Sequence, residues 1–319
     1  MESIVTEPSK LINISLEILR AQQKGVPIVA LESTVITHGL PRPQNLILAQ
    51  DMEQIIRDEN ATPATIAVMD GKIQAGMTST QLERLANSDD AVKVSLRDFA
   101  TSVTSGRPGG TTVAGTMFIA HQIGINVFAT GGIGGVHKEA HMDISTDLQA
   151  LSSIPILVVC AGAKSILNLP ATLEYLETMG VPVIGYRTDK FPEFYSAGKD
   201  LPVSVRFDTP EEVVKFARTH WELGLKSAVL VCQPLPANLA ISAEEIAPYL
   251  EQASDEVIKL QKDHKITGQQ VTPYELLRVS ELTQGKSLAA NLELLKNNAR
   301  LAAQFAQALS GFKSRQKAL

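Results

Sequence analysis

What most constrains this chain is a series of short, continuous apolar runs, each set off from the next by a longer stretch of helical period. The runs are Pro27–Leu31 (PIVAL), Thr65–Asp70 (TIAVMD), Asn126–Thr130 (NVFAT), Pro155–Cys160 (PILVVC), Pro182–Tyr186 (PVIGY) and Ala228–Cys232 (AVLVC). Most are apolar throughout rather than alternating, which is the pattern of strands covered on both faces. Between them lie amphipathic stretches such as LILAQDMEQIIRDE from Leu46 and NLPATLEYLETMG, whose Gly180 reads as a helix stop. Alternation of this kind predicts an α/β fold: a three-layer α/β/α sandwich with a mixed, mostly parallel central sheet. After Pro234 the pattern changes. Ala243–His264 and Ser287–Leu309 are helical in period with no strand expected between them, so a helical C-terminal region should pack on the same sheet. No linker or repeat divides the chain, and residues 1–319 read as one domain.

Composition narrows the function. A net charge of −5 and a pI near 5.7 argue against a nucleic-acid polymer as partner, because phosphate backbones reward a basic face. A small anion is still within reach of a few amides and one lysine. Cys160 and Cys232 each sit in an apolar run and read as buried thiols rather than a disulfide. No signal peptide and no apolar run of membrane-spanning length is visible, so a cytoplasmic setting without membrane contact is expected.

Chemistry in an open α/β sheet gathers where strands end, and three strand ends are rich in polar residues and glycine. In ALESTVITHGLPRPQN, Glu32 directly follows an apolar run. Partial desolvation there suits a general acid, although a strand-end cap or salt bridge explains it equally well. His38 reads as loop structure or a substrate contact. The second region holds Lys93 and Gly109-Gly110-Thr111-Thr112, which read as opening a helix. They could cradle a phosphate or simply cap the helix. GGIGG at Gly131–Gly135 is no dinucleotide fingerprint, because the third glycine of the motif falls on His137. No Walker A loop is present, which disfavours a nucleoside kinase. Asp143, Ser145 and Asp147 suit a hard cation such as Mn²⁺ or Mg²⁺, or a helix N-terminus, or both. His137 and His141 keep a zinc site open. In the third region, CAGAKSIL, Lys164 leaves a strand among small residues. It is either a Schiff-base nucleophile or an ordinary lysine reaching solvent.

Taken together, ALESTVITHGLPRPQN, KVSLRD, GGTTVAGTM, FATGGIGGVH, DISTDL, VVCAGAKSIL, TLEYLET, GVPVIGY, TPYELLRVSELT and KSLAANLELLKNNARLAA resemble the pseudouridine-5′-phosphate glycosidase family, also called indigoidine synthase A-like. The resemblance covers nearly the whole chain. It implies a homotrimer that binds one Mn²⁺ or similar divalent cation per subunit. The implied reaction interconverts pseudouridine 5′-phosphate and water with uracil and ribose 5-phosphate. By the same resemblance Glu32 is the proton donor, Lys164 the imine-forming nucleophile and Asp143 the metal ligand. Substrate contacts fall on Lys93, Thr112, Val113, Thr130, His137, Ser145, Thr146, Asp147 and Asn291. Two departures stand out. VHKEAHMDIS is shorter than the family's usual VH…DIS spacing, and Thr146 replaces the usual alanine. A C-glycosidic bond leaves no heteroatom on the base to protonate, so the paired carboxylates of ordinary glycosidases do not suffice. Ring opening, with Glu32 protonating the ring oxygen and Lys164 attacking the anomeric carbon, offers the alternative. Two competing readings are an aldolase-like lyase acting on another phosphorylated sugar and a catalytically silent sugar-phosphate binder.

Overall fold

The structure is a computed structural model and describes residues 9–138, 143–266 and 270–317. Among them the apolar runs become strands of one sheet: β1 (Ile12–Ile14), β2 (Ile28–Leu31), β3 (Thr62–Met69), β4 (Lys72–Ala75), β5 (Val92–Val94), β6 (Gly109–Thr111), β7 (Val127–Ala129), β8 (Leu157–Cys160), β9 (Val183–Tyr186), β10 (Val205–Phe207) and β11 (Val229–Cys232). Their order is β1-β4-β3-β2-β7-β8-β11-β9-β10, with β6 joining β3 to β5. β3 pairs antiparallel with β4 and β6, and the other pairs are parallel. Helices cover both sides, so the fold is the expected mixed, mostly parallel α/β sandwich. β3, β8, β9 and β11 are buried along their whole length, which explains their uninterrupted apolar sequence.

The topology singles out one crevice. The chain runs from β2 outward to β3 in one direction and from β7 outward to β8 in the other. β2 and β7 pair with each other, so the strand order reverses between them. Crossover helices splay apart at such a reversal and leave an opening at the carboxyl ends of the strands.

Cys160 and Cys232 face each other in register on β8 and β11, with Sγ atoms 3.8 Å apart, both fully buried and reduced. The long C-terminal helix Lys286–Lys317 lies across β2, β7 and β8 and presents Ala299, Ala302, Ala303 and Phe305 to the core. Burying such apolar surface contributes about 25 cal/mol per Å², which holds the helical region on the same sheet.

Three details differ from the sequence reading. β3 begins at Thr62 and includes Pro63, at a position that pairs only with β2, so the missing N–H breaks no second ladder. Gly109–Thr111 is a strand, and the helix starts only after Thr112. A Cβ on Gly110 would lie 2.7 Å from the Ser33 carbonyl oxygen, so this strand needs glycine for packing rather than for a helix start. Finally, Val271–Leu282 is a helix where none was expected. Pro273 falls in its first turn, where the missing N–H removes no intrahelical bond.

Candidate active site

Glu32, Thr130 and Lys164 leave the sheet at the carboxyl ends of β2, β7 and β8, the strands around the crevice. Ser33 fixes the exit of β2. Its hydroxyl donates to the Ile66 carbonyl at 2.5 Å and accepts from the Thr111 amide at 2.9 Å. Thr130 donates its hydroxyl to Oε1 of Glu32 in a short hydrogen bond. Lys164 is placed by the turn at Gly162, whose φ of +84° and closeness to the Pro192 carbonyl (1.9 Å from an added Cβ) admit only glycine. The turn is cross-braced by Ile133 N–H to Gly162 O (3.1 Å) and Lys164 N–H to Ile133 O (3.1 Å). The loop after β7 therefore holds both Glu32 and Lys164.

Two lobes meet at this pair, and Glu32, Lys93 and Lys164 line both. One is largely apolar, walled by Val35, Phe194, Pro273, Leu276 and Leu295, with His38 and Asn291 as polar points. The other, about 260 Å³, is polar and takes in Ser95, Arg97, Thr112, Asp143 and Ser145. Val113, His137, Thr146 and Asp147 also line the polar lobe, so the predicted phosphate and metal residues share one space. Thr112 caps the helix Val113–Gln122, accepting from Gly115 N–H at 3.2 Å. That helix meets the lobe at Thr112 and Val113, while the Ala114 and Gly115 amides are taken by Asp147 and Thr112. Thr130 lines neither lobe and reaches the site through Glu32.

The charges perturb one another. Burial is the largest influence on Glu32 and holds its carboxyl above the usual range; Lys164 opposes this first, then the Thr130 hydrogen bond. The negative charge of Asp147 raises Glu32 further, while Lys93 lowers it. Lys93 is itself held below the ordinary lysine value by burial and then by Lys164, with Asp147 and Glu32 pulling it back up. His38 and His137 are both lowered, chiefly by burial, and so stay neutral bases or donors near neutrality.

Ser145 caps the helix Thr146–Ser153, so the DISTD segment is a helix N-terminus at the edge of the polar lobe. The remaining donors suit a hard, largely hydrated cation held by the single carboxylate of Asp143. His141 and the rest of Glu139–Met142 lie outside the described residues. No three histidine, cysteine or acidic side chains cluster as a metal site among the described ones. Sequence reasoning missed the apolar walls Phe194, Pro273 and Leu276 and the polar-lobe residues Ser95 and Arg97. The period of TPYELL was the available signal for Pro273 and Leu276.

A lysine and a shielded carboxyl at the switch point of an α/β sheet, between an anion-suited lobe and an apolar one, define an enzyme of small-molecule chemistry. The chain belongs to the indigoidine synthase A-like family, whose model matches residues 17–308. It is 52% identical to the pseudouridine-5′-phosphate glycosidase of Geobacillus kaustophilus over 298 residues, covering 93% of this chain and 98% of the relative. It is 48% identical to the Legionella pneumophila protein of the same name, covering 93% and 95%. Among solved structures it resembles an indigoidine synthase A-like protein of Thermotoga maritima (TM-score 0.85, 37% identity, 94% and 97% covered). It also resembles a prealnumycin C-glycosynthase in complex with ribulose 5-phosphate (TM-score 0.87, 37% identity, 97% and 100% covered).

Proposed function

We propose that this chain interconverts pseudouridine 5′-phosphate and water with uracil and ribose 5-phosphate, through a ring-opened imine on Lys164. The observation that carries the reading is the placement of Glu32 and Lys164 together at the junction of the two lobes. The names of the relatives support the substrate. The phosphate belongs in the polar lobe, near Lys93, Thr112 and Val113; Ser145 and Thr146 line the same space. The base belongs in the apolar lobe, where Asn291 and His38 meet its polar edges. The anomeric carbon then falls between them.

Glu32 is suited to its part because burial keeps it protonated at higher pH than an ordinary carboxyl. It gives its proton to the ring oxygen as the Lys164 amine adds to the anomeric carbon and the ring opens. The resulting adduct carries nitrogen and uracil on one carbon. Glu32, now a carboxylate, takes a proton from that nitrogen and returns it to C5 of uracil. The nitrogen lone pair meanwhile breaks the carbon–carbon bond and forms the imine. Water hydrolyses the imine, releasing ribose 5-phosphate and the free lysine.

A divalent cation of the Mn²⁺ class fits the Asp143 side of the polar lobe, where it would supply positive charge toward the substrate's anionic groups. Asp147 and His137 border the same space without forming a ligand cluster. The family resemblance further supports a homotrimer and a cytoplasmic setting. Among the described residues no helix is long and apolar enough to cross a membrane.

The test is incubation of the protein with uracil, ribose 5-phosphate and Mn²⁺, followed by mass spectrometry. Pseudouridine monophosphate should form and should be lost in Lys164→Ala. Absence of product from folded, metal-supplied protein overturns the reading.

A further inference from the structure

The KNNARLAA segment carries an asparagine that the reaction scheme does not use. Asn298 lies on the helix Lys286–Lys317, about two turns beyond Asn291, and is 1% exposed. Its Nδ2 donates to the Thr130 carbonyl at 2.8 Å and to the Gly131 carbonyl at 3.3 Å. Its Oδ1 has no partner among the described residues. A buried acceptor left unpaired costs about 1–3 kcal/mol, a cost comparable to that of the Thr130 carbonyl a leucine would leave unpaired. Only the donor end of the amide is in use.

That end acts on the residue that holds Glu32. β7 stops at Ala129, so the Thr130 carbonyl lies beyond the ladder that would otherwise satisfy it. Thr130 is fixed on three sides. Its N–H donates to Val159 O at 3.0 Å, its carbonyl accepts from Asn298, and its hydroxyl donates to Glu32. The next carbonyl, of Gly131, accepts both from Asn298 and from Ala161 N–H at 2.8 Å. Threonine is β-branched and stiff at χ1, so the orientation of its peptide sets the direction of its hydroxyl.

We propose that Asn298 is a positioning residue for the reaction, orienting Thr130 so that its hydroxyl holds the Glu32 carboxyl toward the anomeric centre. The inference rests on the proposed role of Glu32 and deepens it. Asn298 is not itself catalytic, because it touches neither lobe.

The experiment is a double-mutant cycle of Asn298→Leu and Thr130→Val, measured on cleavage of pseudouridine 5′-phosphate. Each single change should lower kcat by about 10- to 100-fold, as a misaligned catalytic group does, with KM little altered. The double variant should be no worse than the poorer single one, because both break the same relay. Removing the Thr130 hydrogen bond also takes away an influence that lowers the Glu32 pKa. The high-pH limb of kcat/KM should therefore move upward in both singles. Asn298→Ser serves as a second variant if Asn298→Leu fails to fold. A melting point that falls while kcat and the pH limb stay put would overturn the inference, as would simple additivity of the two changes. Wild-type protein inactive on the substrate would instead remove the underlying reading of Glu32.

Discussion

The carboxylate of Asp147 holds the backbone of Gly134: Oδ2 accepts from the Gly134 amide at 2.9 Å, while Oδ1 accepts from the Ala114 amide at 2.9 Å. One side chain thus ties the loop after β7 to the helix that opens the polar lobe. An asparagine has only one oxygen and would turn an NH₂ group against one of those amides. Hydrogen bonds to charged acceptors are worth about 1.5–3 kcal/mol. Asp147→Asn should therefore lower the melting temperature and cut kcat/KM by at least about tenfold. Thermal denaturation and steady-state kinetics on the same preparation check this, and an unchanged variant would show the brace to be unimportant.

Lys164 is the residue on which the proposed chemistry stands or falls. Lys164→Ala should eliminate turnover while leaving the fold intact, because the turn that places it depends on Gly162 and on backbone bonds to Ile133. Borohydride added to wild-type protein with ribose 5-phosphate should reduce the imine and leave the sugar covalently attached. Peptide mass mapping should find that mass on Lys164 and nowhere else. Full activity without the lysine would sink the mechanism.

Much of this candidate site was legible in the sequence, for physical reasons. Glu32 and Lys164 each follow an apolar run, and in an open α/β sheet chemistry gathers where strands end. The relations between distant segments were not legible. Thr130 meets Glu32 across 98 positions, and Asn298 meets Thr130 across 168. Such pairings depend on strand order, which periodicity does not report. The same holds for Asp147, whose partners are backbone amides with no sequence signature of their own. The Val271–Leu282 helix was not expected, although Pro273 falls in its first turn, where proline is tolerated.

Lys93 lowers the pKa of Glu32, so removing its charge should raise it. If Glu32 works as the protonated acid in free enzyme, the high-pH limb of kcat/KM marks its loss of a proton. Lys93→Met should therefore shift that limb to higher pH while raising KM through the lost phosphate contact. A pH–rate profile of the two proteins decides the matter. A shift of the limb to lower pH would contradict the electrostatic assignment.

Glu275 offers a prediction about stability rather than catalysis. It is 3% exposed on the Val271–Leu282 helix, its Oε2 has no partner among the described residues, and burial raises its pKa from 4.5 to about 7 against the opposing charge of Lys138. For an acid raised in the folded state, the native protein keeps a proton that the unfolded chain has released. Its contribution to stability is complete below the unfolded pKa and is lost as pH rises through the folded one. The shift corresponds to about 3 kcal/mol across that window. Wild-type stability should accordingly fall between about pH 4.5 and pH 7 relative to Glu275→Met, which has nothing to ionise. Urea denaturation of both proteins at several pH values measures the difference. Parallel curves would mean that Glu275 finds a compensating partner when it ionises.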